Sequence, residues 1–208
     1  MNFPRCFPFR PAVLLGLAAA LLVGGCKDML VAKRKVIVDA ISAPGAAKPA
    51  GQSYRLVAKR AVVSGTQVRL PFVKACLDAA LVHEGLFEAP PNVPSDIFIE
   101  VNYGLDTTSR IDPLNREGFL ELSARANHQR TLDPSGGEEV WNVRTAIAGL
   151  AGPLESAMPL LATVAVSYAG TDTHAEAAVL VPDNAPAVLN VRETAIKSLS
   201  AKTDAIKK

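Results

Sequence analysis

The sequence predicts an α+β domain of two layers, a mostly antiparallel sheet of about five to six strands with two main helices packed on one face. Three observations carry that expectation. Apolar residues alternate with polar ones at residues 54–58, 97–103, 120–126 and 141–145, the period of half-buried strands. Between them lie two stripes at helical spacing, one through Val73, Cys76, Leu77, Ala80 and Leu81, the other through Leu154, Met158, Leu161, Ala165 and Tyr168. Clusters of Pro, Gly, Asp and Asn punctuate the chain between these segments.

Each element has its own signal. Tyr54, Leu56 and Ala58 share one face of the first domain strand, and Ser64-Gly65 follows it. Pro71 suits the opening of a helix because its missing N–H is not needed there, and Gly85 is a natural stop, so the first helix is expected over about 71–84. After Pro90-Pro91-Asn92-Val93-Pro94, residues Ile97, Ile99, Val101 and Tyr103 alternate as the next strand. Leu120, Leu122, Ala124 and Ala126 share one face of a third. The turn cluster Asp133-Pro134-Ser135-Gly136-Gly137 leads to a return strand over Val140 to Ala146, with Trp141, Val143 and Thr145 together. Pro159 interrupts the second helical stripe and predicts a kink or a late start there. A strand at Ala175 to Val181, the turn Pro182-Asp183-Asn184 and a possible strand from Ala187 to Arg192 close the domain. Lys197, Lys202, Lys207 and Lys208 mark a basic, solvated tail that could be helical.

The N-terminus carries an address. Arg5 and Arg10 precede an apolar run from Ala12 to Val23, the order of a secretory signal peptide. The run is too short for a bilayer core, which needs about 20 helical residues. The segment Leu22-Val23-Gly24-Gly25-Cys26 resembles the lipobox of bacterial lipoproteins: an aliphatic residue, two small ones, then the cysteine whose thiol would carry diacylglycerol. The resemblance implies cleavage between Gly25 and Cys26 and lipid attachment at Cys26. Two or three acyl chains would then hold the protein stably on a membrane, where one would not. The organisation expected is a signal peptide over 1–25, a lipidated Cys26 with a flexible tether over 26–52, one α/β domain over 53–193 and the basic tail over 194–208. Within the tether, Lys35-Val36-Ile37-Val38-Asp39-Ala40-Ile41 alternates and could add an edge strand. Lys27, Lys33, Arg34 and Lys35 lie near the anchor, where anionic head groups attract positive charge.

Loss of the first 25 of 208 residues leaves 183, enough for one domain with a substantial core. It also removes two arginines and no acid, so 20 basic side chains remain against 20 acidic. A neutral chain poor in aromatics offers no footprint for nucleic acid, and none is expected as a partner. Cys6 leaves with the signal and Cys26 would be acylated, so Cys76 has no partner for a disulfide and reads as a small buried hydrophobe.

Catalytic and metal-binding patterns are missing. His83, His128 and His174 are the only imidazoles, and none has a second ligand at metal spacing. His83-Glu84 lacks the second histidine of a zinc-protease helix. No serine sits in a Gly-x-Ser-x-Gly elbow, and no glycine-rich loop is followed by a phosphate-binding lysine. Asp106, Asp112 and Asn115 supply hard oxygens for calcium, but their spacing matches no known loop and turn formation explains them. Glu138 and Glu139 point to opposite faces of a strand, a poor acid–base pair. The sequence therefore predicts no cofactor, no metal, no catalytic residue and no enzymatic activity. Tyr103 and Trp141 are expected to pack beneath a helix, although either would anchor a partner if exposed.

A wider resemblance spans about residues 53–181. It rests on Pro94-Ser95-Asp96 ahead of a strand ending in Tyr103-Gly104, on Val140-Trp141, on Met158-Pro159-Leu160 and on Tyr168-Ala169-Gly170-Thr171-Asp172-Thr173. In these features the chain is similar to lipid-anchored envelope proteins of Gram-negative bacteria with small α/β periplasmic domains. The resemblance implies a lipoprotein on the periplasmic face of the outer membrane that serves as an interaction or assembly module for another envelope protein. Lys27 after the lipidated cysteine favours the outer membrane, since lipoproteins kept in the inner membrane commonly have Asp there; Asp28 one place later keeps the inner membrane open. Two alternatives stand beside this reading: a carrier or sensor for a lipid or small molecule held in an apolar cavity, and an enzyme on envelope polymers with a dispersed site. Oligomeric state is open.

Overall fold

The structure is a computed structural model that describes residues 32–45, 48–58, 70–107, 116–134, 136–150 and 152–206. Residues from Lys33 onward form one compact unit. Its strands are β1 (Lys33–Ser42), β2 (Ser53–Ala58), β3 (Phe87–Glu88), β4 (Ile97–Thr107), β5 (Arg116–Ala126), β6 (Glu139–Ile147) and β7 (Ala177–Pro182). Its helices are α1 (Leu70–His83), α2 (Leu154–Ser167) and α3 (Pro186–Ile206). The α+β class agrees with the sequence, but the described residues make seven strands and three helices, more than the five to six and two expected.

The strands form one mixed sheet in the order β3-β2-β4-β5-β6-β1-β7. β2 runs parallel to both β3 and β4, while the remaining neighbours are antiparallel. The parallel β2–β4 pair follows from α1, because a helix between two strands returns the chain to the end from which it started. Register places the alternating residues as their pattern requires. Leu122 lies opposite Val101 on one side and Val143 on the other, and Val143 lies opposite Ala40. These side chains are buried under the helices.

Two readings of the chain ends are corrected. The segment assigned to a tether contains β1, which is neither spacer nor edge: it lies between β6 and β7. Val36, Val38 and Ala40 are wholly buried or nearly so. The domain therefore begins at Lys33, not Ser53. At the other end, Ala187 to Arg192 is helix, not strand, and α3 carries on through most of the tail, which is helical and largely exposed. Val188, Val191 and Ala195 are buried at spacings of 3 and 4, with Leu199 half-buried one turn on. A short apolar run fits a strand or a helix equally; only the longer window shows the helical period.

The helices stack in two tiers. α1 covers β2 and β4, with Val73 and Leu77 beside Leu56 and Val101. α2 lies on β5, β6 and β1, and α3 packs chiefly on α1 and α2. This explains why α2 is apolar nearly all round, with Leu154, Ala157, Met158, Leu160, Leu161, Val164 and Ala165 all buried. Pro159 is the sixth residue of α2, and the helix starts ahead of it at Leu154, so the late start does not occur. Gly85 ends α1 as its position suggested. It adopts φ 86°, and Leu86 N–H reaches back to Leu81 O at 3.0 Å, a closure that a left-handed residue permits. Gly118 lets α2 approach the sheet: a Cβ there would lie 2.9 Å from side-chain carbons of both Leu150 and Leu154.

The opposite face of the sheet bears a polar lattice. Arg144 bonds Asp106 and Glu117, each at 3.1 Å, with its guanidinium 4.4 Å from the Phe119 ring centroid. Asn102 donates to Glu121 at 3.0 Å, and Arg125 lies 3.3 Å from Glu100.

Candidate functional site

A cleft of about 380 Å³ opens at the end of the sheet where β2 and β4 begin and β5 ends, with the start of β6 at its back. Its polar lining comes from Gln52, Asp96, Asn127, His128 and Arg130, with Trp141 beside them. The strands set this arrangement. Ser53 N–H and Oγ–H donate to Asp96 Oδ2 at 2.8 and 2.6 Å, and Asp96 N–H donates to Ser53 Oγ at 3.0 Å. Parallel pairing of β2 and β4 brings these two strand starts together.

The turn after β5 forms the other wall. Asn127 is buried, and its amide donates to Ser95 O and Thr131 O, both at 2.8 Å, while Thr131 N–H donates back to its Oδ1 at 3.0 Å. One side chain thus ties the turn to the strand start. Arg130 holds φ 51°, a region that non-glycine residues seldom occupy, and its Nη2 meets Asp96 Oδ1 at 2.8 Å. The Ser53 hydroxyl, then the Ser53 backbone N–H, hold the Asp96 carboxyl below its ordinary range; Arg130 adds to the effect and burial opposes it.

Trp141 is 2% exposed and sits opposite Ser42 and Ala124 in the neighbouring strands. Among the described residues its indole N–H has no acceptor, and neither does the buried Ser95 hydroxyl. A buried donor without a partner is uncommon in folded proteins and calls for a reason.

A second polar cluster is structural. Tyr54 OH donates to Asp78 at 3.0 Å, and Lys74 bridges Asp78 and Glu88 at 2.7 Å each, joining β2, α1 and β3. Burial, reinforced by Asp78, holds the Tyr54 phenol far above its usual range. Burial disfavours the Lys74 ammonium, but its two carboxylate hydrogen bonds outweigh that and raise its pKa. Every member has a partner within the cluster.

The residues singled out in the sequence fall in separate places. Gly25 and Cys26 lie outside the described residues, as do Asp112 and Asn115. Asp106 is taken by Arg144. His83 is exposed at the end of α1, His174 is held in its turn by Asp172, and only His128 reaches the cleft. Glu139 accepts a hydrogen bond from Ser123, and Glu138 is exposed. Among the described residues no group of three or more His, Cys, Asp or Glu could hold a metal ion. Cys76 is buried in α1, and burial pushes its thiol up to about 12, as a core cysteine should be. Tyr103 and Trp141 are both in the core. An apolar pocket of about 70 Å³ lies between α1 and β2–β4. That volume cannot take an acyl chain. No described helix is long and apolar enough to cross a membrane.

The cleft itself was not foreseen. Its members are spread from residue 52 to residue 141, in turns whose composition reads as punctuation. Pro94-Ser95-Asp96 and Val140-Trp141 were visible as motifs, yet nothing in the sequence placed them at one end of the sheet.

No family model matches this chain. No curated protein matches it either. Among solved structures it is similar to the PelC dodecamer from Paraburkholderia phytofirmans, in two crystal forms. A point variant in space group C2 gives a TM-score of 0.43 at 13% identity, covering 64% of this chain and 95% of that one. The form in space group P6 gives 0.41 at 13% identity, covering 65% and 98%. The likeness is slight.

Proposed function

We propose that this protein is a lipid-anchored envelope protein, attached through Cys26 on the periplasmic face of the outer membrane, where its domain serves as an interaction or assembly module. The observation that carries the reading is the run Leu22-Val23-Gly24-Gly25-Cys26 placed just ahead of a folded domain. Cys26 is followed by Lys27, and β1 begins at Lys33. Seven residues span at most about 25 Å, so the tether is short and the domain stays close to the bilayer. The exposed Lys33 and Lys35 enter the sheet at that end, where anionic head groups would attract them.

Metabolic acyl labelling of the protein and of Cys26→Ala in a Gram-negative host, followed by membrane fractionation, tests the anchor. The expected result is label and outer-membrane recovery for the natural sequence and neither for the variant. Equal labelling of the two would refute it. Photocrosslinking in the intact envelope tests the module: one recurrent protein adduct supports it, and lipid adducts alone favour a carrier.

A further inference from the structure

The corner of the sheet made by the start of β1 and the end of β7 leaves apolar side chains in water beside unpaired cations. We propose that this corner lies flat on an anionic bilayer, with Leu180 reaching into the head-group layer. The proposal rests on the reading that Cys26 carries a lipid, and it adds which face of the domain meets the membrane.

The first support is the register of the two strands. Lys33 lies opposite Pro182, Lys35 opposite Leu180, and Ile37 opposite Ala178. Val36 and Val38, the alternate residues of β1, are buried under the helices, and Val179 and Val181 pack against the same core. Alternation therefore turns Lys33, Lys35, Ile37, Ala178 and Leu180 to the other face. Leu180 is 65% exposed, more than any other large apolar side chain among the described residues. β7 is also the edge of the sheet, with no described strand beyond it. Further across this face, Arg144 is held by Asp106 and Glu117, and Asn102 by Glu121. At the β1–β7 corner that paired polar surface gives way to an apolar one.

The second support is charge. Lys33 and Lys35 are exposed and make no ion pair among the described residues. Arg34, on the alternate face, is already taken by Asp183 at 2.8 Å and adds no free charge. β7 carries no charged residue, and the first acid along this face of β1 is Asp39, beyond Ile37 and opposite Arg144. Two free ammonium groups beside an exposed leucine fit a bilayer interface, where the cations meet lipid phosphates and the leucine enters the boundary with the acyl chains. A hollow of about 560 Å³ next to them, lined by Arg34, Lys35, Ile37, Ile147 and Leu150, gives lipid groups room to enter.

The third support is the length of chain that leads to Cys26. Lys33 is the seventh residue after it, which keeps the start of β1 within about 25 Å of the lipidated sulfur. Ser42, the last residue of β1, marks the opposite end of the sheet, about 30 Å away along the strand. A lipid on Cys26 would thus hold the β1–β7 corner at the bilayer and leave the cleft beside Trp141 facing away.

The test places a nitrobenzoxadiazole fluorophore on Leu180→Cys and, as a control at the cleft end, on the exposed Gln129→Cys. Cys76 is wholly buried and stays unlabelled. The chain from Lys27 onward, which contains the whole compact unit from Lys33, carries an N-terminal histidine tag and is held on vesicles by a nickel-chelating lipid. Thermal unfolding checks each variant. This tether replaces the acyl chains, so the result is independent of whether Cys26 is lipidated. On vesicles of equal parts phosphatidylglycerol and phosphatidylcholine, emission from position 180 should shift to the blue and be dimmed by a quencher on the lipid chains, while position 129 stays in water. Lys33→Gln combined with Lys35→Gln should lower the inserted fraction about tenfold or more, and vesicles of phosphatidylcholine alone should do the same. An unshifted position 180, an equal shift at position 129, or no response to the lysine variant would overturn the proposal. So would a shift at position 180 that grows with protein concentration without vesicles, since a second copy would then cover the β7 edge. Acyl labelling judges Cys26 by itself, so a failed face with normal labelling sinks this proposal alone.

Discussion

Val38 of β1 lies directly opposite Thr145 of β6, two residues more than a hundred positions apart in the chain. Both are wholly buried. The Thr145 hydroxyl lies 3.3 Å from Leu120 O and 3.4 Å from Leu161 O, so a single contact point gathers β1, β6, β5 and α2. An N-terminal stretch that looks like spacer is therefore part of the centre of the fold.

A direct consequence concerns truncation. A chain starting at Lys33 should fold, whereas one starting at Ser53 should not, because β6 would lose one of its two partners and β7 its only neighbour in the sheet. Circular dichroism with a thermal melt checks both. A cooperative transition in the shorter chain would show that β1 is dispensable.

Leu161 is fully buried in α2 at the layer between sheet and helices. Leu161→Ala should destabilise the domain by about 2–5 kcal/mol, the lost transfer energy plus the cavity left behind. Urea denaturation at constant slope measures it.

Asp96 makes a pH signature. Its carboxyl is held below the ordinary range by Ser53, with Arg130 assisting, so its folded pKa is lower than the unfolded value near ~3.9. The stabilisation is complete above the unfolded value and is lost as pH falls through the folded one. From about pH 5 to about pH 2 the natural protein should lose more unfolding free energy than Asp96→Asn does. Parallel curves would remove Asp96 from the account.

Cys76 should be inert in the folded protein. Its thiol is fully buried and pushed up to about 12 by burial, with Arg192 only partly offsetting this. A water-soluble disulfide reagent at neutral pH should modify it only after unfolding, since the thiolate is the reactive form. Rapid modification of the native state would contradict the burial.

Much of the sheet could be read in advance because its strands carry a local pattern. Ile97, Ile99, Val101 and Tyr103 face the core as their alternation requires, and so do Leu120, Leu122 and Ala124. Gly85 stops α1 for a reason internal to one turn of chain. β1 shows the same alternation, but a period of two states only that one face is buried. It does not say which strands lie on either side. The start of α3 differs from the expected strand for a related reason: Ala187 to Arg192 is apolar enough for either element, and its helical stripe becomes clear only with Ala195 and Leu199.

By itself the sequence determined the strand faces, the first two helices, the burial of Cys76, Tyr103 and Trp141, and the expectation of a lipid address at Cys26. These rest on neighbours within a few residues or on the residue's own chemistry. The tertiary structure alone decided that β1 lies inside the sheet, that β2 runs parallel to β4, and that Asp96, Asn127, Arg130 and Trp141 line one cleft. Those outcomes depend on hydrogen-bonded pairings between distant segments, whose energies are shared by every strand of similar pattern, so only the packing of the whole chain selects among them.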